Sequence, residues 1–220
     1  QIEAELMHRL DKPVFHDDQH GTAIVALAAL LTATRRLGVN IKDKKVGLLG
    51  LGAAGMGICS LVLQYGVKEV LGHDISEKAL KRLRGDGGTP MELDELMQNA
   101  DIVVATTGVK GLIKPEMVQE GQIVMALTNP DPEIEPEVAL KQGALFASDG
   151  KTVNNMLAFP GVFRGALDAG IHTISHEMKI AAAETLSSLA KEDALVPSAL
   201  DKKAHNTVAR AVYDCAIVNK

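Results

Sequence analysis

Apolar positions in the middle of the chain alternate between short runs and longer helical patterns. Short apolar runs bounded by charges or glycine predict strands at 45–50, 67–74, 101–105, 122–127 and 144–147. Apolar residues at helical spacing predict intervening helices at 54–65, 76–84 and 91–99. Ser76 is a candidate cap for the second of these helices, and 85–90 is expected to be a loop. Because parallel strands need crossover connections, we expect an α/β fold with a doubly wound, Rossmann-type parallel sheet.

Both ends of the chain have helical patterns without strands. These patterns predict helices at 1–10, 22–36, 159–169, 177–191 and 202–218. We therefore expect flanking N- and C-terminal helices around the sheet, within one domain over 1–220. Its expected parts are a helical lead-in over 1–40, a Rossmann core over 45–150 and C-terminal helices over 151–220.

Composition excludes several classes of partner. The net charge is -5 and the basic residues are scattered, so nucleic acid is not an expected partner. The longest apolar run, Ala23–Ala33, is about half the ~20 residues that a membrane span needs, so we expect a buried helix and no membrane association. Cys59 and Cys215 lack metal-like spacing and are expected to be reduced thiols of a cytoplasmic protein. The chain opens at Gln1 in a helical pattern without a signal peptide, and we expect that a further segment precedes it.

A glycine-rich turn follows the first predicted strand. Gly50, Gly52 and Gly55 fit the pattern G-x-G-x-x-G, which is a weak signal alone but is here placed between a strand and a helix. The first glycine permits a tight turn, the second lets the backbone approach a pyrophosphate, and the third lets helix and strand pack closely. The alternative is a purely structural glycine turn. The setting favours a dinucleotide site.

The choice between NAD and NADP depends on residues after the second strand. Asp74 closes that strand, where its carboxylate can accept hydrogen bonds from ribose hydroxyls and would repel a 2′-phosphate. Lys78, Lys81 and Arg82 are close enough in sequence to bind such a phosphate. Both cofactors therefore stay open, with NAD slightly favoured.

Polar turns follow the later strands. In doubly wound sheets ligands bind outside the carboxyl ends of the strands. Three segments are expected at that edge: Thr106-Thr107-Gly108, Thr128-Asn129-Pro130 and Ser148-Asp149-Gly150. Asn129-Pro130 is also typical of an ordinary turn, so the residues alone leave both interpretations open.

Two pairs of polar residues stand next to apolar helical patterns. Asp17 and Asp18 precede the first long helix, where they can act as N-caps or contribute to a hard-cation site. The neighbouring His16 and His20 are not expected to bind a softer metal. Asn154-Asn155 can likewise form a cap or turn, or hold a carboxylate.

Four segments, taken in order, resemble the signatures of the malic enzymes, particularly the short bacterial and archaeal type. They are PVFHDDQHGTAIV, LLGLGAAGMGI, ALTNP and VNNMLAFPGVFRGALDAG. The resemblance extends from about Pro13 to Val218, and the four segments together are far more specific than any one. It implies NAD(P)-dependent oxidative decarboxylation of malate to pyruvate and CO2, with Mg²⁺ or Mn²⁺ as the divalent metal.

The resemblance also implies a role for individual residues. Asp18 would bind the metal, and Asp17 would act in catalysis by orienting the catalytic lysine. Asn129 and Asn155 would bind the substrate carboxylate, with Asn154 beside them. The residues expected at the cofactor are Thr22, Gly50, Gly52, Ala53, Ala54, Gly55, Asp74, Thr106, Thr107, Gly108 and Asn129.

Part of the family's catalytic apparatus is not found in this sequence. Its catalytic tyrosine and lysine, and two further metal carboxylates, belong to an N-terminal domain that no part of the chain resembles. Lys110 and Lys151 follow strand ends, but only their position suggests them as bases. We expect the chain to bind a dinucleotide and to oxidise malate poorly without that domain, and the full-length enzyme to be a homodimer.

Two other functions remain as alternatives. One is an amino-acid or methylenetetrahydrofolate dehydrogenase, which the Asp17-Asp18 and Asn154-Asn155 pairs disfavour. The other is a non-catalytic dinucleotide-binding or regulatory module.

Overall fold

The computed structural model describes residues 2–191 and 194–218. The chain forms two compact units. We call Gln1–Leu37 with Val153–Lys220 the helical unit, and Gly38–Thr152 the sheet unit. The expected Rossmann core lies in the sheet unit, and the expected flanking helices form the helical unit.

The helices, numbered along the whole chain, have these bounds. The helical unit contains α1 (Ile2–Arg9), α2 (Thr22–Arg36), α7 (Phe159–Asp168), α8 (His176–Ser188) and α9 (Lys202–Val218). The sheet unit contains α3 (Ala53–Tyr65), α4 (Glu77–Gly85), α5 (Leu93–Asn99) and α6 (Pro136–Lys141). Single turns of tighter or wider helix occur at Asp17–Gly21, Ile41–Asp43, Pro115–Met117, Gly150–Thr152 and Asn155–Leu157.

The sheet unit confirms the predicted α/β fold. Its six strands are β1 (Lys45–Leu49), β2 (Glu69–His73), β3 (Thr89–Pro90), β4 (Ile102–Ala105), β5 (Ile123–Ala126) and β6 (Phe146–Asp149). They pair in the order β3-β2-β1-β4-β5-β6, and every pairing is parallel. The order reverses direction between β1 and β4, which defines the switch point of a doubly wound sheet. All residues of β4 and β5 are buried, as expected for central parallel strands covered on both faces.

Two local predictions in the sheet unit were wrong, and one helix was not predicted. The segment 85–90 is not wholly loop, because Thr89 and Pro90 form the edge strand β3, where a proline is tolerated. The last strand was placed two residues early, since 142–145 are needed for the turn that follows α6. The helix α6 itself was missed, although Pro136 at its start is a typical helix-initiating residue.

The helical unit is built around α2. Residues 23–34 of this helix are all buried, which confirms the expected buried helix. Its neighbour α8 packs against it: Thr32 Oγ1 donates to Ser187 Oγ at 3.0 Å, and Arg35 Nη2 donates to Ser187 O at 2.9 Å. Among the described residues, none of the helices has the length and apolar character needed to cross a membrane.

The helices α7 and α9 approach each other through glycine. A Cβ atom at Gly161 would lie 2.8 Å from Val208 Cβ, and one at Gly165 would lie 2.8 Å from Val212 Cβ. Both distances are too short for real atoms, so the absence of side chains at these positions of α7 is what permits the close packing.

Candidate functional site

The three glycines of the predicted cofactor loop have different surroundings. Gly50 has a φ of +85°, which disfavours other residues, and a Cβ atom there would lie 2.8 Å from Thr106 O. A Cβ atom at Gly55 would overlap Gly50 O, so the start of α3 packs directly on the turn. A Cβ atom at Gly52 would meet nothing within 4 Å. This division matches a tight turn, a close helix-strand contact and an open position at which another molecule can approach the backbone.

The start of α3 presents backbone donors at this open position. Gly52 is the N-cap and supplies no side-chain cap, and the first helical hydrogen bond runs from Met56 N to Gly52 O at 3.0 Å. The N–H groups of Ala53, Ala54 and Gly55 therefore have no acceptor within the helix. Such a helix N-terminus is suited to bind a phosphate.

Asp74 is tied to the glycine loop. Its Oδ2 accepts a hydrogen bond from Leu51 N at 2.7 Å, and its Oδ1 accepts one from Ser76 N at 2.7 Å. Ser76 is the N-cap residue of α4, as predicted, although its side chain makes no capping hydrogen bond. A carboxylate has about four acceptor positions, so Asp74 retains the capacity to bind a ribose, which stays a prediction.

A cation also reaches the glycine loop. Arg82 Nη2 donates to Leu51 O at 3.3 Å, on the same residue whose N–H binds Asp74. Lys78 and Lys81 are exposed on α4. The loop thus has both a carboxylate that disfavours a 2′-phosphate and a guanidinium that could bind one.

The turn after β4 is held by its own hydroxyl groups. Thr106 Oγ1 donates to Gly50 O at 3.1 Å, which links this turn to the glycine loop. Gly108 N donates to Thr128 Oγ1 at 3.0 Å, which links it to the turn after β5. These contacts bring the predicted Thr106-Thr107-Gly108 segment beside the predicted cofactor loop.

Glu133 connects the same two turns, and sequence reasoning missed it. The residue is 0% exposed. Its Oε1 accepts hydrogen bonds from Thr107 N at 2.7 Å, Thr107 Oγ1 at 2.8 Å and Thr128 Oγ1 at 2.6 Å. It lies in the acidic stretch 131–137, which is typical of an exposed loop. The only available signal was its position between Pro132 and Ile134, which are also buried.

Asn129 is positioned by the turn after β6. Its Nδ2 donates to Gly150 O at 3.0 Å, and the Asn129-Pro130 peptide bond is cis. The side-chain oxygen of Asn129 is not used in this contact. The predicted binding roles of Asn129 therefore stay predictions.

In the helical unit, the structure brings Asp17 and Asn155 together. Asn155 Nδ2 donates to Asp17 Oδ2 at 2.6 Å. Gly21 completes this corner, because a Cβ atom there would overlap Asp17 Oδ1 and lie 3.1 Å from Asn155 Cβ. The one-turn π-helix Asp17–Gly21 is capped by His16, whose Nδ1 accepts from Gln19 N at 3.3 Å. The capping interpretation of Asp17 and Asp18 is therefore wrong.

One oxygen of Asp17 is left without a donor. Asp17 Oδ1 is buried and has no hydrogen-bond partner among the residues that the structure describes. Burial, and to a lesser extent the charge of Asp18, raises the pKa of Asp17 above its ordinary value. Asp18 itself is exposed at the same turn. Buried acceptors without a donor are uncommon in folded proteins, so this oxygen distinguishes Asp17 from a carboxylate with a purely structural role.

The two asparagines of the predicted pair have different roles locally. Asn154 Oδ1 accepts from Met156 N at 2.9 Å and caps the turn Asn155–Leu157, so the capping interpretation is right for Asn154. Asn155 instead contacts Asp17, and its Oδ1 and second N–H are not used in that contact. Thr22, another predicted cofactor residue, begins α2 directly after the π-helical turn.

A partly buried network, also missed by sequence reasoning, contacts the turn Asp17–Gly21 through His20. Lys179 Nζ donates to His20 Nδ1 at 3.1 Å, and His20 Nε2 contacts Glu3 Oε1 at 3.0 Å. Because an ammonium group only donates, Nδ1 accepts and Nε2 carries the proton. Burial, together with the Lys179 charge, lowers the pKa of His20 to about 4. Both ring nitrogens of His20 are thus used within the protein.

Neither lysine considered as a base is suited to that role. Lys110 Nζ donates to Asp131 Oδ1 at 2.9 Å, and Lys151 Nζ lies 2.8 Å from Asp149 Oδ2. These hydrogen bonds raise the pKa of both lysines. Within 2–191 and 194–218, no group of three or more His, Cys, Asp or Glu side chains is arranged to hold a metal ion.

Known proteins match nearly the whole length of the chain. Residues 19–87 match the family described as "Malic enzyme, NAD binding domain". The chain is 53% identical over 218 residues to NAD-dependent malic enzyme 1 of Bacillus subtilis (strain 168), covering 99% of the chain and 50% of that protein. The chain belongs to the malic enzyme family. It contains an NAD-binding domain of these oxidoreductases, as the resemblance implied.

Other malic enzymes show the same relationship. The bifunctional malic/malolactic enzyme of Bacillus subtilis (strain 168) is 38% identical, with 98% of the chain and 59% of that protein covered. The crystal structure of a malic enzyme from Pyrococcus horikoshii Ot3 superimposes with a TM-score of 0.87 and 35% identity, over 99% of the chain and 58% of that protein. The chain thus spans between half and three fifths of the length of these relatives.

Proposed function

We propose that this chain is the dinucleotide-binding part of an enzyme that oxidises malate to pyruvate and CO2 while reducing NAD or NADP. The observation that carries the proposal is the 2.6 Å hydrogen bond between Asn155 and Asp17. It joins two segments, DDQHGTA and VNN, that resemble malic enzyme signatures and lie far apart in sequence. In this arrangement Asp17 Oδ1 has no donor among the described residues, whereas a pair with a purely structural role would need no free acceptor.

The sheet unit supports the dinucleotide part of the proposal. The open space at Gly52 and the free N–H groups at the start of α3 fit a pyrophosphate. Asp74 fits a ribose at the end of β2. NAD is slightly favoured by Asp74, although relatives described as NAD-dependent and as NADP-dependent both match the chain.

The proposed substrate contacts are amide groups. Asn155 and Asn129 would bind the malate carboxylate, each through the polar atoms that its present hydrogen bond leaves unused. Asn154 would lie beside Asn155. Asp17 would accept a hydrogen bond from a catalytic lysine through its buried Oδ1, which fixes the direction of that lysine.

The proposed metal dependence rests on fewer observations. Asp18 is an exposed carboxylate next to Asp17, and oxygen ligands suit Mg²⁺ or Mn²⁺. Among the residues described, however, Asp18 is not joined by enough further ligands to form a site. We propose that the other ligands come from outside this chain. When bound, such a cation would act as a Lewis acid on the substrate oxygen.

It follows that the chain alone should oxidise malate poorly. Residues outside it would supply the base and the remaining ligands. By resemblance to the family, we also propose a cytoplasmic location and a homodimeric full-length enzyme.

The proposal is tested by titrating the chain with NAD and NADP, with and without Mn²⁺ and malate. We expect saturable dinucleotide binding that metal and malate change little, and very slow reduction of NAD or NADP in a turnover assay. A chain that binds neither dinucleotide would contradict the cofactor site. Rapid malate oxidation by the chain alone would contradict the need for residues outside it.

A further inference from the structure

Glu133 is a buried carboxylate that forms no ion pair with the residues that the structure describes. Its side chain is 0% exposed, and none of the ion pairs within the described part of the chain includes it. Isolated buried charges are costly unless they are well hydrogen-bonded. Glu133 is stabilised by donors instead of by a counter-charge.

The hydrogen bonds of Glu133 match its ionised form. Oε1 accepts from Thr107 N, Thr107 Oγ1 and Thr128 Oγ1 at 2.6–2.8 Å, and Oε2 lies 3.4 Å from Thr128 N. All of these partners approach as donors. A protonated carboxyl group would direct its own O–H toward one of them, whereas an ionised carboxylate accepts from every one.

Glu133 lies on the side of the sheet where the nicotinamide half of the proposed dinucleotide would bind. The glycine loop follows β1, and Asp74 at the end of β2 marks the adenosine side of the switch point. The other half of a dinucleotide bound there extends over the ends of β4 and β5. Thr107 and Thr128, the two partners of Glu133, each follow one of those strands by two residues.

We propose that Glu133 sets the preference of this site for oxidised over reduced cofactor. The oxidised nicotinamide ring carries a positive charge that the reduced ring lacks. A fixed negative charge behind the two turns therefore stabilises the oxidised form selectively. The inference rests on the proposed dinucleotide site. Glu133 acts through its field and by positioning the two turns, not by contact with the reacting atoms.

The test compares Glu133→Gln with the unaltered 220-residue chain. Glutamine keeps an acceptor oxygen for Thr107 and Thr128 but removes the charge. Affinities for the oxidised cofactor are measured by calorimetry and for the reduced cofactor by its fluorescence. We expect the variant to bind the oxidised form about fivefold more weakly, because one charge acting across several ångströms of protein has an effect of that size. The affinity for the reduced form should change less than about twofold.

Glu135→Gln is the matched control. Glu135 lies two residues along the same segment but is exposed, so water screens its charge. This variant should leave the ratio of the two affinities unchanged. Thr128→Val removes one donor while keeping the Glu133 charge, and it should weaken both forms together.

An unchanged ratio in Glu133→Gln, or equal weakening of both forms, would overturn the inference and leave the dinucleotide site standing. If the variant does not fold, the unaltered chain still decides, since it must bind the oxidised form at least as tightly as the reduced form. Tighter binding of the reduced form would overturn the inference. Failure of the unaltered chain to bind either form would overturn both the inference and the proposed site.

Discussion

Asn155 donates a hydrogen bond to Asp17, and it is the only partner that the described residues give to either oxygen of that carboxylate. Replacing Asn155 with Ala would leave both oxygens of Asp17 without a donor. We expect the free energy of unfolding to fall by about 1–3 kcal/mol, the usual contribution of a hydrogen bond to a charged group. Urea denaturation measures the loss. Asn206→Ala, at an exposed asparagine of α9, is the control and should change stability by less than about 0.5 kcal/mol. Equal effects of the two substitutions would contradict the prediction.

The raised pKa of Asp17 predicts a pH-dependent gain in stability on removing its charge. Burial and the neighbouring Asp18 disfavour the ionised form in the folded chain. The stabilising effect of protonation is therefore fully present below the ordinary value near 3.8 and is lost as the pH rises through the raised pKa. Asp17→Asn should unfold at higher urea than the unaltered chain at pH 7, and the difference should shrink toward pH 4.

Asp18→Asn is the comparison for that experiment. Asp18 is exposed, so its neutralisation removes only the repulsion on Asp17 and should give a smaller gain of the same sign. A gain for Asp17→Asn that does not vary with pH would show that burial of the charge is not its cause.

The open space at Gly52 predicts that a larger side chain at this position weakens dinucleotide binding without destabilising the fold. Gly52→Val adds a Cβ atom that would meet nothing within 4 Å, so we expect the fold to tolerate the substitution. The same atoms would obstruct a phosphate at the start of α3, and we expect at least roughly tenfold weaker dinucleotide binding, since close approach requires glycine here. Calorimetric titration and thermal melting give the two readouts.

Gly85→Ala serves as the control for Gly52→Val. A Cβ atom at Gly85 also meets nothing within 4 Å, but Gly85 lies at the end of α4, outside the glycine loop. This variant should bind dinucleotide normally. Unimpaired binding by Gly52→Val would mean that the loop is structural.

The Lys179-His20 contact predicts that removing the Lys179 charge changes the pKa of His20 measurably. Burial comes first and the Lys179 charge second among the causes that lower the pKa of His20 to about 4. Lys179→Met keeps much of the burial and removes the charge, so the pKa of His20 should rise part of the way toward 6.5. NMR titration of the His20 ring protons measures the change. An unchanged pKa would exclude a contribution from Lys179.

The same shift has a consequence for stability. Because folding lowers the pKa of His20, the folded chain disfavours its protonated form. The stabilising contribution is complete above about 6.5 and is lost as the pH falls toward about 4. In Lys179→Met the loss should still begin near 6.5, because the unfolded chain sets that limit, but it should end at a higher pH and be smaller in total.

Local patterns predicted most of the fold. Features that involve only residues close together in the chain could be recognised from the sequence alone. These are the apolar runs of β1, β4 and β5 and the spacing of Gly50, Gly52 and Gly55. The strand β3 was missed because two residues are too few for a periodic pattern. Helix α6 was missed because its six residues make fewer than two helical turns, which is too short for a helical period to be recognised.

The candidate site was predicted less completely, for a physical reason. Glu133 and Lys179 are charged residues that tertiary contacts bury, and charged residues are usually exposed. The burial of Lys179 depends on α8 packing against α2, and that of Glu133 depends on two turns from different strands. Likewise, the unpaired oxygen of Asp17 arises from its surroundings and not from its identity.

The contact between α7 and α9 restricts which mutations this region can accept. A Cβ atom at Gly161 or Gly165 would meet a main-chain oxygen of α9, His205 O or Ala209 O, and no substitution in α9 removes a main-chain oxygen. A saturation mutagenesis library should therefore be depleted of nearly every variant at the two glycines. The outer faces of the same helices, such as the exposed Arg164, should remain permissive.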